Sequence, residues 1–148
     1  MNAIDEWPHN WFGYWSYGVI KQFPSLEEAI DTTWSPCDKN DIVSYLHRGL
    51  CVGAVGTTTP CPLCPMELPV DQLSDGEWVW ITQLGHLVAC HSVIVPHRFV
   101  EHMRKRSFVM PTRIECRVAH LPWPEGSAMK KIPTTTPAFS GSARSQRG

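Results

Sequence analysis

Residues 60–91 have the sequence PCPLCPMELPVDQLSDGEWVWITQLGHLVACH, which brings cysteines and histidines together in one short segment. Cys61 and Cys64 form a Cys-x-x-Cys motif, and 21 residues separate this motif from His86. Two thiolates on a tight turn and an imidazole on a following helix are typical ligands of a tetrahedral zinc ion. We therefore expect a zinc-finger-like hairpin-helix unit over residues 60–91.

The fourth metal ligand is ambiguous from the spacing. Cys90 follows His86 by four residues and lies on the same face of an ideal helix, whereas His91 lies about 140° around the axis. His91 therefore reaches the ion only if the helix tightens or ends there. The separation between the ligand pairs exceeds the roughly 12 residues of nucleic-acid-binding C2H2 fingers, which predicts an inserted loop over residues 66–74.

Other interpretations of the cysteine motif are possible. The thiols and histidines can be ordinary buried side chains that bind no metal. A redox role is disfavoured, because Pro62 and Pro65 do not suit a helix that begins at the first cysteine. Catalytic zinc requires three protein ligands and an open position. The deaminase signature has its Pro-Cys-x-x-Cys half at residues 60–64, but no His-x-Glu precedes it.

The composition is typical of one domain in a reducing compartment. The chain has 148 residues, of which 43% are hydrophobic and 18% charged, enough to form a core. No run of about 18 apolar residues is present, and the acidic, aromatic N-terminus does not have the pattern of a secretory signal. We therefore expect a cytoplasmic protein with no membrane contact, whose six cysteines bind metal or remain free thiols.

Charge is distributed unevenly along the chain. Residues 1–100 contain 4 Lys/Arg and 11 Asp/Glu, and residues 101–148 contain 9 and 3. The basic segment 104–117 is therefore a candidate contact for nucleic acid. Against this, the expected finger helix over residues 83–91 has no Lys or Arg at base-reading positions, and the acidic body would repel phosphates. We do not expect nucleic acid as the partner.

Local patterns predict an α+β fold, a small single domain with short helices and a small antiparallel sheet. Ser25 and Glu28 have the spacing of a capping box, Asp38 is a candidate N-cap, and Gly49 is a candidate left-handed C-cap. Asp75 and Gly76 form a turn signal. The predicted helices cover residues 25–31, 39–48, 83–91 and 96–106, and the predicted strands cover 50–55, 78–81 and 112–121.

These elements define the predicted domain boundaries. We expect one domain over residues 1–121, and a disordered basic tail over residues 122–148, where Pro, Ser, Thr, Gly and Lys dominate. The aromatic segment 1–24 is expected to pack over the core, although a stacking platform for bases or sugars is an alternative.

Residues 75–103 carry a recognisable run of motifs. The chain resembles a group of small, uncharacterised bacterial proteins with a "DG-WxW…LxHxV…H-V…P-FV-H" run, some of which have a Cys-x-x-Cys zinc knuckle. The likeness extends over about residues 10–104, and it implies no activity. Its second histidine falls at His91, which favours His91 over Cys90 as the fourth ligand. The matching residues here are Asp75-Gly76, Trp78, Trp80, Leu84, His86, Val88, His91, Val93, Pro96, Phe99-Val100 and His102.

The candidate functional residues lead to one main hypothesis. His97 and His102 would need a carboxylate within reach to act in catalysis, and Glu101 lies on a different helical face, so we expect surface or core-edge histidines. We therefore expect a non-catalytic, zinc-stapled protein-binding module of the adaptor or antidote type, with a protein as its partner. The alternatives are a zinc-dependent enzyme with an open three-ligand site and nucleic-acid binding through residues 104–117.

Overall fold

The structure is a computed structural model that describes residues 4–13, 25–54, 56–113 and 121. These residues form short helices and strands, and the predicted α+β class is confirmed. In chain order the elements are β1 (Trp11–Phe12), a 3₁₀ helix (Leu26–Ala29), α1 (Lys39–His47), β2 (Leu50–Gly53), β3 (Thr58–Pro60), β4 (Glu67–Pro69), β5 (Gln72–Ser74), β6 (Val79–Ile81), α2 (Gln83–His91) and α3 (His97–Lys105).

The larger sheet is mixed, whereas a small antiparallel sheet was expected. Its strand order is β1-β6-β5-β2, and β5 runs antiparallel to both of its neighbours. The β1 strand pairs in parallel with β6, with Trp11 opposite Val79 and Phe12 opposite Trp80. A parallel pair needs a long connection, and residues 13–78 lie between these two strands, so no hairpin turn sets their relative direction.

The predicted loop over residues 66–74 is wrong. The β4 strand occupies Glu67–Pro69 and pairs with β3, and the β5 strand occupies Gln72–Ser74 in the middle of the larger sheet. Each strand has only three residues, which is too short for alternation of polar and apolar residues to be recognised in the sequence. The segment between the cysteine motif and α2 therefore joins the metal-ligand candidates to the main sheet.

The hydrophobic core surrounds Trp80. Its side chain is fully buried, and its indole Nε1 donates a hydrogen bond of 3.0 Å to the carbonyl oxygen of Leu46 on α1. Residues 4–13 of the N-terminal segment pack as predicted, since Trp7 and Trp11 are buried and Trp7 Nε1 donates to the Trp11 carbonyl at 2.6 Å. Helices α1 and α3 contribute the buried side chains Ile42, Tyr45, Leu46, Phe99, Val100 and Met103.

Of the two predicted caps of α1, one is confirmed in position only and the other is wrong. Asp38 is the N-cap residue of α1, but among the described residues its side chain forms no capping hydrogen bond; its carboxylate accepts hydrogen bonds from Arg104 at 2.8 and 3.1 Å. Gly49 does not have a left-handed backbone. A Cβ atom at Gly49 would lie 2.5 Å from Cζ2 of Trp80 and 2.8 Å from Cβ of Leu73, so the position requires glycine because the core approaches closely.

Other local predictions have clear outcomes. The capping box is present, because Glu28 Oε2 accepts hydrogen bonds from the backbone and hydroxyl of Ser25 at 3.2 and 3.1 Å, although the helix that follows is a single 3₁₀ turn. The helices predicted from residues 83 and 96 are confirmed by α2 and α3. Most of the strand predicted over 112–121, and the whole tail 122–148, lie outside the described residues. No described helix has the length and apolar character needed to cross a membrane.

Candidate metal centre

The cysteine motif lies at the tip of the β3–β4 hairpin. The backbone N–H of Cys61 donates a hydrogen bond of 2.8 Å to the carbonyl oxygen of Met66, which closes the turn. The backbone N–H of Leu63 donates to Cys61 Sγ at 3.4 Å. Cys61 is buried and Cys64 is half-buried. Because backbone N–H groups stabilise negative charge on sulfur, the turn suits a thiolate ligand.

Helix α2 supplies the histidines. It runs from Gln83 to His91 and ends at Ser92, whose φ of 58° is left-handed. The backbone N–H groups of Ser92 and Val93 both reach back to the carbonyl oxygen of Leu87, as is common where a helix terminates. The helix therefore ends directly after His91, which is the condition under which residue 91 can approach the same ion as His86.

The four predicted residues Cys61, Cys64, His86 and His91 come together in the structure. One ligand atom from each residue lies within 4.8 Å of those of the other three, so the group can hold a metal ion. The distance between Cys64 Sγ and His86 Nε2 is 3.4 Å. A tetrahedral ion with a Zn–S bond of about 2.3 Å and a Zn–N bond of about 2.05 Å would place these two atoms about 3.6 Å apart.

Cys90 lies outside this group. Its side chain is exposed and the thiol is free. The position four residues after His86 would share its face on an ideal helix, but the hairpin approaches the end of α2, where His91 is half-buried. Which of the two side chains faces the hairpin depends on where the helix ends. Sequence spacing does not give that end point, so it left both Cys90 and His91 as possible fourth ligands.

Two features of the histidines fit a metal ligand. Nε2 of His91 is buried and has no hydrogen-bond partner among the described residues, which is a costly state that a metal–nitrogen bond would relieve. Burial, together with the neighbouring His91 and His47, lowers the pKa of His86, so this ring is held in the neutral form that binds metals.

Burial raises the pKa of the Cys61 thiol, although the hydrogen bond from the Leu63 N–H lowers it. A bound cation would favour the thiolate and so reverse the effect of burial.

Gly85 allows α1 to approach α2 beside the cluster. A Cβ atom at Gly85 would lie 2.6 Å from Cε1 and 2.8 Å from Nδ1 of His47, so the imidazole of His47 packs against the bare helix backbone. His47 therefore lies next to the metal-ligand candidates without belonging to the group. The sequence contained no local signal for this contact.

A second polar cluster was missed by the sequence reasoning. The buried carboxylate of Asp75 accepts hydrogen bonds from the Tyr45 hydroxyl and from His102 Nε2, the latter at 2.7 Å. Its other oxygen accepts the backbone N–H groups of Glu77 and Trp78 at 2.9 and 2.8 Å. His102 thus has the neighbouring carboxylate that Glu101 was judged unable to supply. No local signal in the sequence indicates this pair, because Asp75 and His102 are 27 residues apart in the chain.

The ionisation states in this cluster follow from burial and hydrogen bonding. Burial alone raises the pKa of Asp75, but the hydrogen bonds from His102, Tyr45 and the two backbone groups outweigh it, so the pKa lies below its ordinary value. Burial and the adjacent carboxylate raise the pKa of Tyr45. At neutral pH Asp75 is therefore an ionised acceptor, Tyr45 is a donor, and His102 donates its Nε2 proton.

Two arginines at the C-terminal end of α3, Arg104 and Arg106, pair with acidic residues. Arg104 bonds to Asp38 and to Glu101, the latter at 2.9 Å, and Arg106 bonds to Glu77 at 3.1 Å. Residues 114–117 of the candidate nucleic-acid segment 104–117 lie outside the described residues. Comparison with known proteins adds no relative, because no family model, curated protein or solved structure matches the chain.

Proposed function

We propose that this chain is a zinc-stapled, non-catalytic protein-binding module of the cytoplasm. The observation that carries the proposal is the convergence of four donor atoms, two thiols and two imidazoles, within 4.8 Å of one another. Thiolate and imidazole ligands together favour zinc over hard cations such as magnesium and calcium. The five described cysteines are free thiols, which fits a reducing compartment.

The number of ligands favours a structural role over catalysis. A catalytic zinc ion usually has three protein ligands and a bound water, whereas a structural ion has four protein ligands. Here Cys61 and Cys64 come from a hairpin and His86 and His91 from a helix, so a shared ion would join two parts of the fold. Such a link stabilises the folded state, because the site does not exist in the unfolded chain.

The surface beside the metal-ligand candidates supports a protein partner. Leu63 and Met66 lie in the turn that carries the two cysteines, and they are 43% and 53% exposed. They are two of only three large hydrophobic residues that are exposed in the described part of the chain. A bound zinc ion would hold this apolar turn rigid, which lowers the entropy cost of association. We assign the partner-binding surface to Leu63 and Met66.

The zinc assignment is tested by metal analysis of the purified full-length chain. We expect one zinc per chain by plasma emission spectrometry in the wild type, and less than about one tenth of that in Cys64→Ser, since loss of one thiolate from a closed site weakens binding strongly. Cys90→Ser is the matched control, because it removes a cysteine outside the cluster, and it should retain the metal. Full zinc content in Cys64→Ser, or loss of zinc in Cys90→Ser, would contradict the assignment.

The protein-binding role is tested separately with a double variant. Leu63→Ser together with Met66→Ser removes the exposed apolar surface but leaves all four donor residues in place. We expect proteins that crosslink to the wild type in cell extract to be lost with this variant while one zinc per chain remains. A crosslinking pattern identical to that of the wild type would refute the assigned surface, whereas loss of zinc from the double variant would show that these residues support the metal site instead.

A further inference from the structure

Cys61 and Cys64 are close enough to bond to each other. Their sulfur atoms lie within 4.8 Å of one another at the tip of the β3–β4 hairpin. A tetrahedral zinc ion with Zn–S bonds of about 2.3 Å would hold the two sulfurs about 3.8 Å apart. A disulfide bond is about 2.05 Å long, so the sulfurs of a zinc-bound site would approach each other by about 1.7 Å, which rotation about the Cα–Cβ bonds supplies.

The two thiols differ in their access to solvent. Cys61 is only 5% exposed, whereas Cys64 is half-buried and lies between two exposed residues, Leu63 and Pro65. A small oxidant therefore reaches Cys64 first, and the Cys61 sulfur is next to it to react second. Redox-sensing cysteines commonly combine an accessible thiolate with a second cysteine that resolves the oxidised one.

The turn keeps the cysteines together without help from a metal ion. The backbone N–H of Cys61 donates to the carbonyl oxygen of Met66 at 2.8 Å, and the rings of Pro62 and Pro65 restrict the backbone between and after the two thiols. No helix has to begin at Cys61 for the two sulfurs to join. The prolines that count against a thioredoxin-like motif therefore do not oppose a disulfide within this turn.

A single disulfide would remove both anionic ligands from the donor group. The group contains two thiols and two imidazoles, and Cys90, the cysteine next to His91, is exposed and does not belong to it. A disulfide sulfur has no negative charge, so two neutral imidazoles alone would remain to hold a cation. Nε2 of His91 would then be buried without a partner, which is a costly state.

A zinc ion and a disulfide would join different parts of the chain. The ion would link Cys61 on the hairpin to His91 at the end of α2, whereas the disulfide closes a ring over residues 61–64 alone. The entropy cost of loop closure grows with loop length, so the longer link restricts the unfolded chain more. Exchange of the zinc link for the disulfide therefore detaches the hairpin from α2 and lowers stability.

We propose that Cys61 and Cys64 are a site of reversible oxidation by peroxide, at which formation of their disulfide expels the zinc ion. The proposal rests on the proposed function, because it concerns the same four donor residues. Leu63 and Met66 lie in the oxidised turn and are the assigned partner-binding surface, so loss of the metal also removes the rigidity that favours association. The oxidant thus regulates both stability and partner binding.

The reaction is balanced by one peroxide molecule. The Cys64 thiolate attacks one oxygen of hydrogen peroxide, the O–O bond breaks, and a sulfenic acid forms while the departing hydroxide takes up a proton and becomes water. The Cys61 thiolate then attacks the sulfenic sulfur, the S–S bond forms, and the second hydroxide leaves as water after protonation. Two thiolates, one peroxide and two protons give one disulfide and two water molecules, and a thiol reductant reverses the change.

The test treats the zinc-loaded, full-length chain with hydrogen peroxide and follows zinc release with a chromogenic chelator. Free thiols are then alkylated, disulfides are reduced and labelled with a second reagent, and mass spectrometry locates each label. We expect about one zinc released for each disulfide formed, with the second label on Cys61 and Cys64. Dithiothreitol followed by zinc should restore the metal content. Diamide, which oxidises thiols and spares Met66, should release zinc as peroxide does.

The melting temperature supplies a readout that does not depend on labelling. The oxidised chain should melt within about 4 °C of the reduced chain from which zinc has been chelated, since both have lost the link between the hairpin and α2. A melting temperature equal to that of the zinc-loaded chain would show that the link is intact and would overturn the proposal.

Two variants separate this disulfide from other thiol chemistry. Cys90→Ser is the matched control, because it removes the exposed thiol beside His91, and it should release zinc at the wild-type rate. Cys64→Asp keeps an anionic ligand but cannot form the disulfide, so peroxide should release its zinc at least about ten-fold more slowly. If Cys64→Asp does not hold zinc, the label positions in the wild type decide the proposal.

The outcomes distinguish this proposal from the zinc assignment. A chain that binds no zinc before oxidation refutes the proposed function and the release of metal with it. A zinc-loaded chain that keeps its metal while Cys90 is oxidised overturns the redox proposal alone. The redox proposal is also overturned if Cys90→Ser abolishes the release, or if zinc leaves while the second label lies on cysteines other than Cys61 and Cys64.

Discussion

Replacement of Asp75 tests the buried network that joins the β5–β6 turn to α1 and α3. The carboxylate accepts two backbone hydrogen bonds on Oδ1, and bonds from Tyr45 and His102 on Oδ2. Asp75→Ala removes all four acceptor contacts and leaves the donors buried. Asp75→Asn keeps the backbone bonds to its oxygen, and its amide can donate to the Tyr45 oxygen and to a neutral His102.

The expected magnitudes follow from these contacts. Four hydrogen bonds at about 1 kcal/mol each amount to about 4 kcal/mol, and removal of one partner of a buried charged network typically costs about 3–5 kcal/mol, so Asp75→Ala should lose about 4 kcal/mol. Asp75→Asn should lose about 1–2 kcal/mol, because the contacts persist without the charge. Such a loss is a large fraction of the free energy of unfolding of an ordinary domain, which is about 5–15 kcal/mol.

The contribution of Asp75 to the free energy of unfolding depends on pH, and the direction of this dependence is defined. The pKa of Asp75 in the folded protein lies below its ordinary value of 3.8. The stabilisation from this carboxylate is therefore fully present above pH 3.8 and is lost as the pH falls through the lower, folded-state pKa. Loss of any metal ion in acid and protonation of other carboxyls affect the wild type and Asp75→Asn alike, so the difference between the two proteins isolates Asp75.

Urea unfolding followed by circular dichroism, at pH 7, 5, 4 and 3, measures both the loss of stability in each variant and its dependence on pH. The difference in free energy of unfolding between the wild type and Asp75→Asn should be largest at pH 7 and should shrink toward pH 3. Asp41→Asn, an exposed carboxyl in the first turn of α1, serves as the control and should change stability by less than about 0.5 kcal/mol. A cost below about 1 kcal/mol for Asp75→Ala, or a difference that grows at acid pH, would refute this account.

Three further predictions concern close packing and the metal. Gly49→Ala should lower the free energy of unfolding by about 1–3 kcal/mol in urea titrations, because its Cβ would meet the buried Trp80 ring; an unchanged midpoint would contradict this. Gly85→Ala should change the free energy of unfolding by less than about 1 kcal/mol, since the exposed His47 ring can rotate away and alanine favours the helix. A loss as large as that of Gly49→Ala would contradict this. Chelation of zinc should lower the melting temperature by about 10 °C or more in calorimetry, and re-addition of zinc should restore it; an equal melting temperature with and without chelator would exclude a structural metal.

The accuracy of the sequence-based predictions depends on how local each feature is. The limits of α2 were predicted because Thr82 precedes an apolar run, and the ligand spacing was recognisable because thiols and imidazoles on a turn and a helix follow general rules. The Gly49 prediction failed, since the reason for that glycine is the Trp80 ring, more than 30 residues away in the chain. No local sequence pattern indicates that the Trp80 ring packs this closely against Gly49.

The amino-acid sequence by itself determined the α+β class, the helices predicted over residues 83–91 and 96–106, and the candidate metal ligands, because these depend on periodicity, caps and short spacings. Only the tertiary structure decided that His91 joins the cluster while Cys90 is exposed, that β1 lies parallel to β6, and that Asp75 meets His102. These outcomes arise from the packing of segments that are distant in the chain. Contacts of that kind depend on the summed burial of many side chains, which no short stretch of sequence encodes.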